Sequence, residues 1–216
     1  MHLIVFLLRP IYFLLYHQFA WTYDFVAAVV SLGRWQDWVR AALPEMSGRV
    51  LEIGFGPGHL QISINEKKLQ AFGLDESRQM AHQASRRIQK KGILFRLSRG
   101  YAQSIPFAKG VFDSVVATFP AEYIFDPQTL SEVKRVLVPA GRLVILPIAW
   151  ITGTRPLERL VAWLLRVSGE APGKPGPVSA ATMGRFARLG FEVRSEIVEL
   201  KGSQVLVLVA EKKKGS

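Results

Sequence analysis

Residues 50–58, Val-Leu-Glu-Ile-Gly-Phe-Gly-Pro-Gly, join a short apolar run to three glycines at alternate positions. Val50, Leu51 and Ile53 read as a buried strand. It breaks where Gly54, Gly56 and Gly58 remove side chains, so that the backbone can turn sharply and approach a ligand closely. A second strand-like run, Ala71-Phe72-Gly73-Leu74, ends one βαβ length later in Asp75. In a nucleotide-type βαβ unit, a carboxylate at that place accepts hydrogen bonds from ribose hydroxyls. Together the two signals imply a ribose-bearing cofactor. The alternative is a strand and a glycine-rich turn that hold no ligand.

The spacing narrows the choice of cofactor. Dinucleotide sites use Gly-x-Gly-x-x-Gly, which brings a helix N-terminus to a pyrophosphate. This chain has Gly-x-Gly-x-Gly, stiffened by Pro57, with Glu52 two residues before the first glycine. A carboxylate there repels a pyrophosphate but suits a ligand carrying an amino group and a sulfonium. The combination resembles the first motif of the class I S-adenosylmethionine-dependent methyltransferases. Gly73-Leu74-Asp75-Glu76-Ser77 is similar to that family's second motif, residues 100–107 to its adenine segment, Phe112–Thr118 to its fourth strand, and residues 132–143 to the helix, turn and strand that follow.

The resemblance covers about residues 48–148 and implies S-adenosylmethionine as cofactor, with S-adenosylhomocysteine as product. The residues it places at the cofactor are Glu52, Gly54, Gly56, Gly58, Asp75, Glu76, Ala102, Gln103 and Thr118. It implies an α/β fold: a Rossmann-like, seven-stranded, mostly parallel sheet with an antiparallel last strand and helices on both faces, to which the residues before it add an apolar N-terminal helical segment. Two positions depart from the pattern. Tyr101 stands where an aspartate usually accepts from the adenine amino group, which leaves that task to backbone at Ala102 or the amide of Gln103. Ala140 replaces the first glycine of a Pro-Gly-Gly turn, leaving Gly141 to supply any left-handed conformation.

Composition sets the outer bounds. The 216 residues make one domain with a full core plus an N-terminal addition, divided here as 1–43 and 44–216. The absence of cysteine excludes disulfides and thiolate metal sites, and His2, His17, His59 and His82 show no metal-ligand spacing, so no metal is expected. A formal net charge of +11 asks for an anionic partner, nucleic acid or acidic lipid. Residues 3–15 are apolar apart from Arg9 and Pro10, too short and too interrupted for a spanning helix and without the flanks of a signal peptide. We read them as lying in a membrane interface, with Arg9 reaching headgroups; packing on the core is the plainer alternative. This favours an anionic membrane surface and a lipid-like substrate over nucleic acid, and a cytoplasmic, peripherally membrane-associated protein. An oligomer stays open.

The elements that must position these residues follow from periodicity. Strands are expected at 49–53, 70–75, 93–97, 112–117 and 142–147, and a hairpin from Phe191–Leu200 and Val205–Ala210. Asp126-Pro127 supplies an N-cap and first-turn proline for a helix bearing Leu130, Val133 and Leu137. Thr154 caps a helix with Glu158, Arg159 and Arg166 on a polar face and Leu157, Leu160, Val161, Leu164 and Leu165 on an apolar one, with Trp163 at its margin. Residues 169–177 are too rich in Gly and Pro for regular structure and read as a loop near the substrate side.

The chemistry implied is in-line displacement at the sulfonium methyl, in which the protein supplies alignment and desolvation. If the acceptor is protonated, a base is needed: Glu122 and Tyr123 lie past the fourth strand, and Tyr23, Asp24 and His17 could cap the site from the N-terminal segment. Thr118-Phe119-Pro120-Ala121 lacks the polar-Pro-Pro-aromatic motif of base-amino methyltransferases. Residues 23–38 are similar to the N-terminal region of quinone-biosynthesis C-methyltransferases, whereas small phospholipid N-methyltransferases share the general plan. The expectation is a lipid-embedded acceptor, a phospholipid amine ahead of a quinone ring. Other classes to weigh are an RNA methyltransferase and a non-catalytic cofactor-binding membrane protein.

Overall fold

The computed structural model describes residues 31–163 and 179–213, except residues 95, 157 and 162. The apolar run 3–15, the candidates His17, Tyr23 and Asp24 and the loop 169–177 therefore lie outside the described residues.

Strand β1 (Arg49–Ile53) is flanked by β2 (Gln70–Asp75) and β4 (Phe112–Thr118), all parallel. Short β3 (Leu97–Arg99) adds beyond β2, and β5 (Leu137–Ile151) beyond β4. Strands β6 (Phe191–Leu200) and β7 (Ser203–Lys212) complete one sheet in the order β3-β2-β1-β4-β5-β7-β6, with β7 antiparallel to both neighbours. The hairpin turn is shorter than expected: Leu200 pairs with Ser203, so only Lys201 and Gly202 make it, with Gly202 at φ 68°.

Helices cover both faces. Helix α1 (Trp35–Arg40) and α2 (His59–Glu66) bury Trp38, Val39, Leu60 and Ile64 against Val50, Val116 and Val207 on one side. Helix α3 (Arg78–Gln89) brings Ala84 and Ile88 onto Phe55. On the other side α4 (Pro127–Val136) and α5 (Ala180–Arg188) bury Leu130, Val133 and Phe186 with Leu51, Ile53 and Leu143. Strand β1 alternates Val50 to one layer and Leu51 to the other, as the two-residue strand period requires. Asp126 caps α4 by accepting from the Gln128 N–H at 2.7 Å, with Pro127 in the first turn as expected.

Four expectations need correction. The third strand lies at 97–99 rather than 93–97, because pairing with Gly73–Asp75 begins only at Leu97. The last parallel strand starts at Leu137, so the Pro139-Ala140-Gly141 segment lies within it, and the left-handed residue is Ala140 (φ 61°) rather than Gly141. Gly141 is needed for closeness instead, since a Cβ there would lie 2.9 Å from the Val138 carbonyl oxygen. The boundary at 43 also moves: Trp38, Val39 and Ala42 belong to the core, and the Trp38 indole N–H donates to Ser203 Oγ at 2.9 Å.

The fourth correction concerns the helical residues 158–161, where Glu158 and Leu160 exchange their expected places while Arg159 is exposed as expected. Glu158 is 4% exposed, whereas Leu160 and Trp163 are 50% and 54% exposed. Glu158 ion-pairs with Arg34, which also donates to Gly202 O at 3.1 Å, and it accepts from the Arg155 N–H at 2.8 Å. Its carboxylate thus satisfies a backbone N–H at the start of the helix, as the acidic residue of a capping box does.

Thr129 Oγ1, buried in α4, has no hydrogen-bond partner among the described residues. Replacing that hydroxyl by a methyl relieves a desolvation cost without opening a cavity. Thr129→Val is therefore expected to stabilise the fold by about 1 kcal/mol, read as a higher midpoint in thermal denaturation. A lower midpoint would mean the hydroxyl is satisfied.

Candidate functional site

The parallel strands end together at one edge of the sheet, where β1 and β4 part to enclose a crevice of about 350 Å³. Its floor is the turn after β1. Gly54 donates its N–H to Leu74 O at 2.7 Å, extending the β1–β2 ladder, and then turns at φ 71°. Gly58, at φ 82°, precedes α2; a Cβ there would lie 2.9 Å from that of Ala84, so this glycine lets α2 and α3 pack closely. Asp75 ties the floor to the second strand: one carboxylate oxygen accepts from the Gly56 N–H at 2.9 Å, the other from the Ser77 N–H at 2.8 Å.

One side of the crevice is the segment Gly100–Gln103, held by α4. Glu132 accepts from the Ile105 N–H at 2.8 Å, and Arg135 donates to Phe107 O and Ile105 O at 2.7 and 2.8 Å. Arg135 in turn holds the Glu132 carboxyl below the usual carboxylate range. Gln128 Nε2 also donates to Gln103 O at 3.2 Å. A preset main chain at Ala102 and Gln103 is what a site without the usual aspartate requires, and Tyr101 is largely exposed.

The opposite side is Thr118–Ala121 with Tyr123. Phe119 sits at φ 48°, a left-handed conformation costly for an aromatic residue. It is held there by its N–H to Leu146 O bond of 2.7 Å and by Trp35 and Trp38, whose ring centroids lie 4.7 and 6.0 Å away. Helix α1 thus braces the crevice wall from behind.

Of the residues expected at the cofactor, Gly54, Gly56, Asp75, Glu76, Ala102, Gln103 and Thr118 line the crevice. Gly58 and Glu52 do not. Glu52 is 2% exposed, and its carboxyl accepts from Gln61 Nε2 at 2.7 Å; it lies behind the floor rather than against a ligand. Among the candidate bases, Tyr123 lines the crevice and Glu122 is exposed, outside the lining. Tyr23 falls outside the described residues. Met80 and Phe119 line the crevice and were not expected there. Ser77 Oγ caps α3 by accepting from the Met80 N–H at 3.2 Å, so the first turn after Asp75 brings Met80 back over the site; the Ser-x-x-Met spacing carried that signal. Gln61 was also missed, although a polar residue between Leu60 and Ile64 on a core-facing helix pointed to a buried hydrogen bond.

The electrostatics favour a cation. Burial raises the Asp75 carboxyl, against the pull of the Ser77 and Gly56 N–H groups. Burial pushes Glu52 up to about 8, with the Gln61 hydrogen bond opposing and Asp75 adding to the rise. Tyr123 is driven above the usual phenol range, first by burial, then by Asp75, Glu52 and Glu76. It is therefore a neutral phenol at physiological pH, able to orient an acceptor by hydrogen bonding but unsuited to act as a phenolate base. In a chain of net charge +11, no lysine, arginine or histidine is among the described residues lining the crevice. Among these residues a pyrophosphate would find no cation, whereas a sulfonium with an amino group would find carboxylates.

Comparison with known proteins agrees with this geometry. The family profile described as "Methyltransferase domain" matches residues 50–141. A demethylmenaquinone methyltransferase from Deinococcus radiodurans is 34% identical over 131 residues, 57% of this chain and 54% of that protein. A ubiquinone/menaquinone biosynthesis C-methyltransferase from Geotalea daltonii is 31% identical over 134 residues, 57% of each chain. The matched stretch thus spans little more than half the length of these relatives. A solved S-adenosylmethionine-dependent methyltransferase from Aquifex aeolicus shares the fold, with a TM-score of 0.59 at 18% identity over 82% of this chain and 92% of that one.

Proposed function

Given that the chain belongs to the class I S-adenosylmethionine-dependent methyltransferases, we propose that it methylates a ring carbon of a demethylated quinone precursor. The observation that carries the donor assignment is the crevice lined by Asp75 and Glu76, with no basic side chain among the described residues that line it, inside a strongly basic protein. S-adenosylmethionine supplies there an electrophilic methyl group on a cationic sulfur. Asp75 would hold the ribose, main chain at Ala102 and Gln103 the adenine, and the bare backbone of Gly54 and Gly56 the methionyl part.

For the acceptor, the names of the relatives favour a ring carbon over the phospholipid amine expected from sequence. The aromatic wall suits the same choice: Phe119 and Tyr123 at the fourth-strand exit offer a flat ring an apolar face and one phenolic hydrogen-bond partner. Methyl transfer to a ring carbon of the reduced quinol forms one C–C bond, breaks the S–C bond so that the pair returns to sulfur as a neutral thioether, and releases the ring proton to solvent water. Because Tyr123 stays neutral, its part is to orient the ring hydroxyl rather than to take the proton.

The test is methyl incorporation from labelled S-adenosylmethionine by the full chain into three acceptors offered separately. These are a short-chain demethylated naphthoquinol, phosphatidylethanolamine vesicles and total RNA. Label in the naphthoquinol ring alone is the expected result; label in the phospholipid or RNA, or in none, overturns the acceptor assignment.

Association with a membrane is part of the same proposal, since a quinone with an isoprenoid tail resides in lipid. It is supported by the charge of +11 and the apolar run 3–15. No helix among the described residues is long and apolar enough to cross a membrane. Deleting residues 1–20 is expected to abolish flotation with phosphatidylglycerol-containing vesicles while cofactor binding persists. Undiminished flotation of the truncated chain would remove the anchor.

A further inference from the structure

Glu52 is a buried carboxyl that the transfer of a methyl group does not require. It sits on β1 immediately before Ile53 and Gly54, which line the crevice. Its partner Gln61, from α2, commits both amide hydrogens, one to Glu52 Oε2 at 2.7 Å and the other to Phe72 O at 3.1 Å. The amide is thereby locked in orientation and presents Glu52 with a neutral donor only. The other ionisable groups facing Glu52 are Asp75 at the end of β2 and Tyr123 after β4, both of which line the crevice. No basic side chain among the described residues acts on it.

A carboxyl in this position meets a conflict. As an anion it is desolvated, beside a second carboxylate and without a counter-charge. As a neutral acid it is at ease, until a cation arrives on the other side of the floor. The donor brings a sulfonium, whereas the product carries a neutral thioether in its place; the two ligands are otherwise nearly the same. We propose that Glu52 holds a proton in the ligand-free protein and releases it when the sulfonium donor binds, so that this buried carboxyl distinguishes the charged donor from its neutral product.

The proposal rests on S-adenosylmethionine being the ligand of the crevice. The step is a proton transfer from the Glu52 carboxyl to solvent buffer, with no other bond changed. The sign follows from linkage. Free Glu52 keeps its proton up to about pH 8, and in the donor complex it loses it at lower pH. Between those two values the complex holds fewer protons than the free protein, so donor affinity rises with pH by up to about tenfold per unit. Above pH 8 it levels off. The product, lacking the cation, shows a smaller rise.

Calorimetric titration of the full chain with S-adenosylmethionine and with S-adenosylhomocysteine, at pH 7 in two buffers of different ionisation enthalpy, counts the protons released. The donor is expected to release about half to one proton more than the product. The preference for donor over product is expected to grow several-fold between pH 6.5 and 8. Both effects should vanish in Glu52→Gln, whose amide copies the neutral acid. The amino group that both ligands carry cancels in the donor–product difference. Equal proton release by the two ligands in the wild-type protein overturns the proposal, even if the variant fails to fold. So does a difference that survives in Glu52→Gln, which would assign it to Asp75. Failure of the wild-type protein to bind S-adenosylmethionine at all overturns the cofactor reading, and this proposal with it.

Discussion

Asp75→Ala is expected to weaken cofactor binding by at least about 100-fold, which corresponds to roughly 3 kcal/mol for two charge-assisted hydrogen bonds at about 1.5 kcal/mol each. The argument rests on placement. Asp75 ends β2 at the crevice, and its oxygens already accept from the Gly56 and Ser77 N–H groups, which fixes the carboxylate plane before any ligand arrives. Each oxygen keeps a further lone pair for a ribose hydroxyl. Alanine removes both acceptors and also frees the Gly56 turn from the second strand. Asp75→Asn separates these effects: it keeps one acceptor and the side-chain shape, and should lose less. Titration calorimetry with S-adenosylhomocysteine, beside a thermal melt to confirm folding, reads the outcome. Near-wild-type affinity in a folded Asp75→Ala protein would remove the ribose assignment.

The floor of the crevice is legible in sequence because its parts are local. Glycines that must turn left-handed, a carboxylate at a strand end and a fixed βαβ length all leave marks within about 30 residues. A partner that comes from far along the chain leaves no such mark. Helical spacing places Glu158 on a polar face with Arg159. Arg34, more than a hundred residues earlier, draws it inward and turns Leu160 and Trp163 out. Hydrophobic periodicity gives the width of an apolar stripe but not which side of the helix a buried ion pair will claim.

Glu52 shows the same limit at shorter range. Its place in the motif pointed to the ligand, but whether the side chain faces the crevice depends on strand alternation. Leu51 and Ile53 face one core layer, so Glu52 turns toward the layer of Val50, where Gln61 meets it. The third strand is hard to place for a related reason. Its three residues are too few to show a period, and its position is fixed by pairing with Gly73–Asp75 rather than by its own composition.

Gly54→Val is expected to bring cofactor binding below detection. Two costs combine at this position. At φ 71° a β-branched residue is strained by about 1–2 kcal/mol or more. A Cβ would also lie 2.6 Å from Tyr123 Oη, inside contact distance. Either the tyrosine swings into the crevice or the turn moves away from Leu74 O; both deform the surface that meets the ligand. The two causes can be told apart, because the tyrosine's Cζ lies 3.8 Å from that Cβ and only its hydroxyl collides. Gly54→Ala should therefore weaken binding, and adding Tyr123→Phe should restore part of the loss. In a double-mutant cycle on cofactor affinity, the pair should be coupled favourably by about 1 kcal/mol. If Tyr123→Phe rescues nothing, the left-handed backbone alone explains the need for glycine. If Gly54→Val binds normally, the turn after β1 is not the floor of the cofactor site.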